Sequence, residues 1–120
     1  MKNENPHELE VIKRLKNQKL KVTDITSYVK VYEVDVNKID RMGYNILHYA
    51  IKSDVPDVVN LFLNPSDEYK IKPADPNITT QDEAKNIFLP PMMLALLHSN
   101  DDSASYKIIK YLLKVRILLF

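Results

Sequence analysis

The chain contains no cysteine and a single glycine, Gly43, in 120 residues. Without cysteine there is no disulfide, thiolate nucleophile or sulfur-ligated zinc, which fits a reducing compartment. Nucleotide loops of the G-x-G-x-x-G and G-x-x-x-x-G-K types need several glycines for close backbone approach, so both are excluded. Gly43 itself is expected in a turn that demands positive φ. Charge of one sign is also missing. Seventeen basic residues face sixteen acidic ones, a net charge of +1, whereas a nucleic-acid-gripping domain normally carries a basic stripe. No long apolar run exists either. The best stretch, Ile108 to Phe120, is interrupted by Lys110, Lys114 and Arg116, and falls short of the roughly 20 apolar residues that span a bilayer. The start, Met1 to Glu8, is polar where a secretory signal needs an apolar core. The expectation is an intracellular protein, cytoplasmic or nuclear, with no membrane span and no nucleic acid among its partners.

What is present is helical periodicity. Asn5 as N-cap, Pro6 at the first helical position and Glu8 two residues later mark a helix start. Leu9, Ile12 and Leu15 then share one face, and the helix is expected to fade near Asn17 to Lys19. A second helix is predicted from Thr23 or Asp24, with Ile25, Tyr28, Val29 and Tyr32 forming one buried stripe. Asp35 to Gly43 breaks this period with residues that favour turns. A short helix capped by Asn45 follows, with Ile46, Leu47, Ala50 and Ile51 facing inward. Beyond Asp54, Pro56 and Asp57, another helix carries Val58, Val59, Leu61, Phe62 and Leu63. Residues 64–87 hold three prolines and read as a long surface loop with at most a helical turn near Asp82 to Lys85. Pro90 and Pro91 open a third apolar segment, Met92 to Leu97. A polar link from His98 to Ser105 leads to a last helix from about Tyr106.

Helix pairs recurring after turns call for a search for repeats. The segment Asp40-Arg41-Met42-Gly43-Tyr44-Asn45-Ile46-Leu47-His48-Tyr49-Ala50 resembles the ankyrin pattern D-x-x-G-x-T-P-L-H-x-A. Asp57 to Leu63 is similar to that family's second helix, and Asp35-Val36-Asn37 to the A-D-V-N turn that precedes a repeat. A divergent copy lies downstream: Pro91-Met92-Met93-Leu94-Ala95 resembles P-L-H-x-A, with Ala95 placed 45 residues after Ala50. Ile108 to Leu113 matches Val58 to Leu63 at an offset of 50 residues. The family period is about 33 residues, so insertions of roughly a dozen residues in 64–87 and about five in the link from His98 to Ser105 account for the excess. Residues 5–34 look like an atypical capping pair. The copies depart from the pattern where Asn45 stands for threonine and Ile46 for proline. In the second copy Phe88 stands at the place of Gly43, and Pro90 cannot cap through its side chain.

The resemblance implies an all-α solenoid of stacked helix–turn–helix pairs in one domain, with a best-matched repeat at 35–63 and a divergent one at 88–120. Ala50 and Ala95 would let helices approach closely, and His48 would make structural hydrogen bonds between turns. The implied function is non-catalytic protein binding through hairpin tips and the exposed face of each first helix, as a regulatory subunit or as an effector directed at host proteins. Carried over by position, the partner-binding residues are Arg41, Met42, Tyr44, Lys52 and Ser53, with Asn86, Ile87, Leu89, Leu97 and His98 in the second copy. Arg41, Met42 and Tyr44 are the expected anchors, because their residue types concentrate at interface cores. Tyr44 and Arg41 are thereby expected to tolerate alanine without loss of stability. The apolar C-terminal edge, Val115 to Phe120, is expected to meet further repeats or a second copy.

Chemistry-bearing residues offer little else. His7, His48 and His98 lack H-E-x-x-H spacing, so no metal site is predicted, and no cofactor. Asp67-Glu68, Asp82-Glu83 and Asp101-Asp102 read as solvated loop carboxylates. Ser27, Ser53 and Ser99 lack a nucleophile elbow. An enzyme is not expected. The alternative function is peripheral membrane binding through Lys107, Lys110, Lys114 and Arg116 on the last helix.

Overall fold

The computed structural model describes residues 10, 12–15, 17, 21–66, 68, 70–99 and 103–118. The expected helix start at Asn5, Pro6, Glu8 and Leu9 lies outside these residues, as do His7, Asp67, Asp101, Asp102 and Phe120. Among the described residues the architecture is all-helical, with no strand and one isolated antiparallel bridge between Asp82 and Ile87. Helical residues at 10 and 12–15 are followed by α1 (Val22–Val31), α2 (Ile46–Lys52), α3 (Pro56–Leu63), α4 (Pro91–Leu97) and α5 (Ser103–Leu118).

The helices form two rows. α2 and α4 pack side by side in one, and α1, α3 and α5 follow one another in the second. Within each pair, α2 also lies on α3 and α4 on α5. This arrangement follows from the apolar spacing. A seven-residue helix is too short to persist alone in water and is held by tertiary packing of its buried face. In α2 every residue from Ile46 to Ile51 is buried. Val58, Val59, Leu61, Phe62 and Leu63 of α3 fill the space between the rows, meeting Leu94 and Ala95 of α4 and Ile108 and Leu112 of α5 in one core. Each large side chain so buried contributes on the order of 2 kcal/mol of apolar transfer. The stripe read from the sequence at Ile25 and Val29 joins this core, whereas Tyr32 lies exposed at the end of α1.

Helix ends are set by backbone geometry that no glycine announces. After α1, Glu33 adopts φ +51, Glu33 N–H donates to the Lys30 carbonyl and Val34 N–H to that of Val29. After α2, Asp54 adopts φ +60, with bonds from Asp54 N–H to Ile51 and from Val55 N–H to Ala50. Both are Schellman endings, a motif that usually places glycine at the left-handed position. α5 begins at Ser103, three residues before the expected Tyr106, and Ser105 is buried with its Oγ 3.3 Å from Asp54 Oδ1.

The long 64–87 segment is a second correction. It runs over the surface in part, yet Ala74, Thr80 and Asp82 are buried. Ala74 N–H donates to the Phe62 carbonyl at the end of α3 (2.7 Å), and Asp75 N–H donates to Asn37 Oδ1 (2.7 Å). Asp75-Pro76-Asn77 repeats the turn made by Asp35-Val36-Asn37. In each, the aspartate Oδ1 accepts from the asparagine backbone N–H two residues on, at 2.8 and 3.0 Å.

Candidate functional site

Two hairpins project from the turn side of the helix rows, and their frames are built around aspartates. In the first, Asp40 N–H donates to the Tyr44 carbonyl, and Asp40 Oδ1 accepts from the N–H groups of Met42 (2.9 Å) and Tyr44 (3.1 Å). Its Oδ2 accepts from the Tyr49 hydroxyl at 2.6 Å. Gly43 sits at φ +95, and a Cβ there would lie 2.3 Å from the carbonyl carbon and oxygen of Gln81. Glycine is required twice over, by dihedral and by the close approach of the second hairpin. Gln81 N–H donates to the Gly43 carbonyl at 2.7 Å, so the two hairpins run against each other.

In the second hairpin Asp82 and Ile87 exchange backbone hydrogen bonds, and Asn86 takes φ +58. Alignment by sequence offset puts Phe88 in the place of Gly43, but the left-handed position is filled by Asn86, whose short polar side chain tolerates that conformation. Asp82 corrects the reading of a solvated carboxylate. It is buried, its Oδ2 accepts from the Tyr44 hydroxyl at 2.5 Å, and its Oδ1 accepts from Lys85 N–H at 3.1 Å. The bond from Tyr44, opposed by desolvation, holds the Asp82 carboxyl below the usual carboxylate range. Burial, with the Asp82 bond second, pushes the Tyr44 hydroxyl up to about 12, so it stays a neutral donor. Lys52 Nζ lies over the Tyr44 ring at 3.9 Å from its centroid, within cation–π range.

His48 locks the hairpins to α2. Its backbone N–H donates to Asn45 Oδ1 and its Nδ1 accepts from Asn45 N–H, both at 2.9 Å, a reciprocal capping box. With Nδ1 an acceptor, Nε2 carries the proton and donates to the Ile78 carbonyl at 2.8 Å. Burial therefore favours the neutral ring and lowers the His48 pKa.

The expected contact residues separate into two groups. Arg41 and Met42 stand exposed at the apex of the first hairpin, Met42 at 60%. Asn86 is exposed on the second hairpin, while Leu97 (60% exposed) and His98 end α4 at the surface. Lys52 and Ser53 are half-buried at the equivalent end of α2. α2 and α4 pack side by side, and burial, with the Lys52 and Lys85 charges behind it, lowers the His98 pKa. The other group serves the fold. Tyr44, the expected aromatic anchor, is 3% exposed and bonded to Asp82, so the expectation of a dispensable surface residue is corrected. Ile87 is committed to the Asp82 bridge, and Leu89 packs on the core while exchanging hydrogen bonds with Thr80.

Sequence reading missed Asp82, Thr80 and the second D-x-N turn. The pair Asp35-x-Asn37 and Asp75-x-Asn77 carried that signal, each ahead of a hairpin aspartate. No group of three His, Asp or Glu side chains that would hold a metal occurs among the described residues. No described helix is long and apolar enough to cross a membrane. No family model and no curated protein sequence matches the chain.

Proposed function

We propose that this chain is a non-catalytic protein-binding module with ankyrin-type stacking, which meets its partner through the hairpin apices and the outer ends of α2 and α4. The observation that carries this reading is the exposure of Met42 and Leu97, large apolar side chains, beside Arg41, Lys52 and His98 on that face. Apolar and cationic groups mixed in this way are the composition of an interface core and rim. Stacking of ankyrin type is supported by the two helix rows, by hairpins built on Asp40 and Asp82, and by the repeated Asx turns. Regulatory-subunit and host-directed effector roles are both forms of the same binding activity.

The alternative of a membrane-lying α5 finds no support in the packing. Ile108 and Leu112, its most apolar face, are buried against α3 and α4 and are not free to enter a bilayer surface. The test is affinity capture with the wild-type chain and with Arg41→Ala/Met42→Ser/Leu97→Ser, accompanied by thermal melts. Partners retained by the wild type are expected to be lost by the triple variant, with Tm unchanged. Equal capture by both proteins overturns the proposal.

A further inference from the structure

A cleft of about 610 Å³ opens between α3 and α5, on the row of second helices, away from the hairpin apices. Asn60, Leu63 and Asn64 line it from α3, and Lys107, Lys110, Tyr111, Lys114 and Val115 from α5. The three lysines follow an i, i+3, i+7 spacing, so they form one stripe along the helix, about 10.5 Å from first to last. No described carboxylate pairs with any of them; the Lys110 ammonium instead lies 5.4 Å from the Tyr106 ring centroid. The floor is apolar, since Leu63 is buried and Tyr111 and Val115 pack partly on the core.

We infer that this cleft binds an extended acidic peptide segment with an apolar residue between its carboxylates. In an extended chain, side chains two residues apart point the same way, about 6.8 Å from each other. Carboxylates at alternate or near-alternate positions therefore meet the lysine stripe on α5, and an intervening apolar side chain points the other way, toward Leu63 on α3. The carboxamides of Asn60 and Asn64 each offer a donor and an acceptor, which is what the N–H and C=O groups of a peptide backbone need. A volume of this size suits a short peptide stretch. A flat bilayer surface does not enter a cleft between two helices. A nucleic-acid strand would need aromatic platforms for its bases, and among the described lining residues the only aromatic one is Tyr111. This face is distinct from the one in the proposed function, and neither reading depends on the other.

The experiment uses the full chain and a short peptide of alternating Glu and Leu between Gly-Ser ends, with binding read by amide and side-chain NMR shifts. The expected result is a set of shifts centred on Leu63, Tyr111 and Val115. Affinity is expected to drop about tenfold in K107Q/K110Q/K114Q, to weaken with added salt, and to hold in K13Q/K21Q/K30Q, which removes the same charge elsewhere. Circular dichroism verifies that both variants fold. Absence of shifts, equal loss in the two variants, or tighter binding of phosphatidylserine vesicles or oligothymidylate at the same lysines overturns the inference.

Discussion

At the residue scale, Gly43 and His48 carry consequences out of proportion to their size. Gly43 combines positive φ with a neighbouring backbone that leaves no room for a methyl group. Gly43→Ala is expected to destabilise the fold by at least about 2 kcal/mol, seen as a lower urea midpoint, because the second hairpin must move away. A midpoint equal to wild type would show that the Gly43–Gln81 approach is not a constraint. His48 ties stability to pH. Burial holds its folded pKa below the ordinary histidine value of about 6.5, so the unfolded chain binds the proton more readily. Stability is then complete above about pH 6.5 and falls as pH drops from there toward the folded pKa. The physical event is specific. A proton on Nδ1 would face the Asn45 N–H that it now accepts, and the capping box would open. Denaturant midpoints at successive pH values check this, using His98→Asn to remove the other histidine whose pKa is lowered. His48→Gln in that background is expected to flatten the dependence above pH 5, where the depressed Asp82 carboxyl does not yet contribute.

At the element scale, α2 and α4 occupy equivalent places with unequal starts. α2 has the reciprocal cap of Asn45 and His48, whereas α4 starts at Pro90 and Pro91 with no side-chain cap. The Asn45 cap leaves its Nδ2 buried without a partner. A threonine hydroxyl would keep the acceptor for His48 N–H and delete that orphan donor. Asn45→Thr is expected to raise stability by about 1 kcal/mol, and Asn45→Ala to lower it by about 1–2 kcal/mol. Thermal melts of the pair check the sign of each. If threonine costs as much as alanine, the carboxamide has a role that the cap alone does not describe. The helix ends were the least legible elements in the sequence. Glu33 and Asp54 hold left-handed positions where glycine is customary, so the residue type that marks a helix end was absent.

At the scale of the whole molecule, the two units differ in what covers them. His48 and Ile51 of α2 are buried, while Met93 and Leu96, their counterparts on α4 at the offset of 45 residues, are 49% and 48% exposed. The layer that hides this face in the first unit is α4 and the hairpin ahead of it. In the second unit the same face meets solvent among the described residues. Exposed apolar edges of this kind promote association. Sedimentation equilibrium is expected to detect weak self-association that Met93→Gln/Leu96→Gln abolishes, with an unchanged melting temperature. Association that persists in this variant would assign it to another surface.

Local chemistry in the sequence was sufficient for the helical class, the Asn45 cap, the Gly43 turn and the apolar stripes of α2 and α3. Each depends on residues within about two helical turns of one another, so spacing alone encodes it. The exposure of Arg41, Met42, Leu97 and His98 was expected from their places in the ankyrin-like resemblance. Tertiary structure alone decided the fate of Tyr44 and Asp82. They are 38 residues apart in sequence, and their 2.5 Å bond exists only because the second hairpin is laid against Gly43. Whether a tyrosine meets water or a carboxylate depends on what the distant chain brings to it, and a polar hydroxyl on an apolar ring is compatible with both. The α3–α5 cleft has the same origin: three lysines that the sequence offers as a candidate membrane-facing stripe become one wall of a cleft because α3 closes its other side.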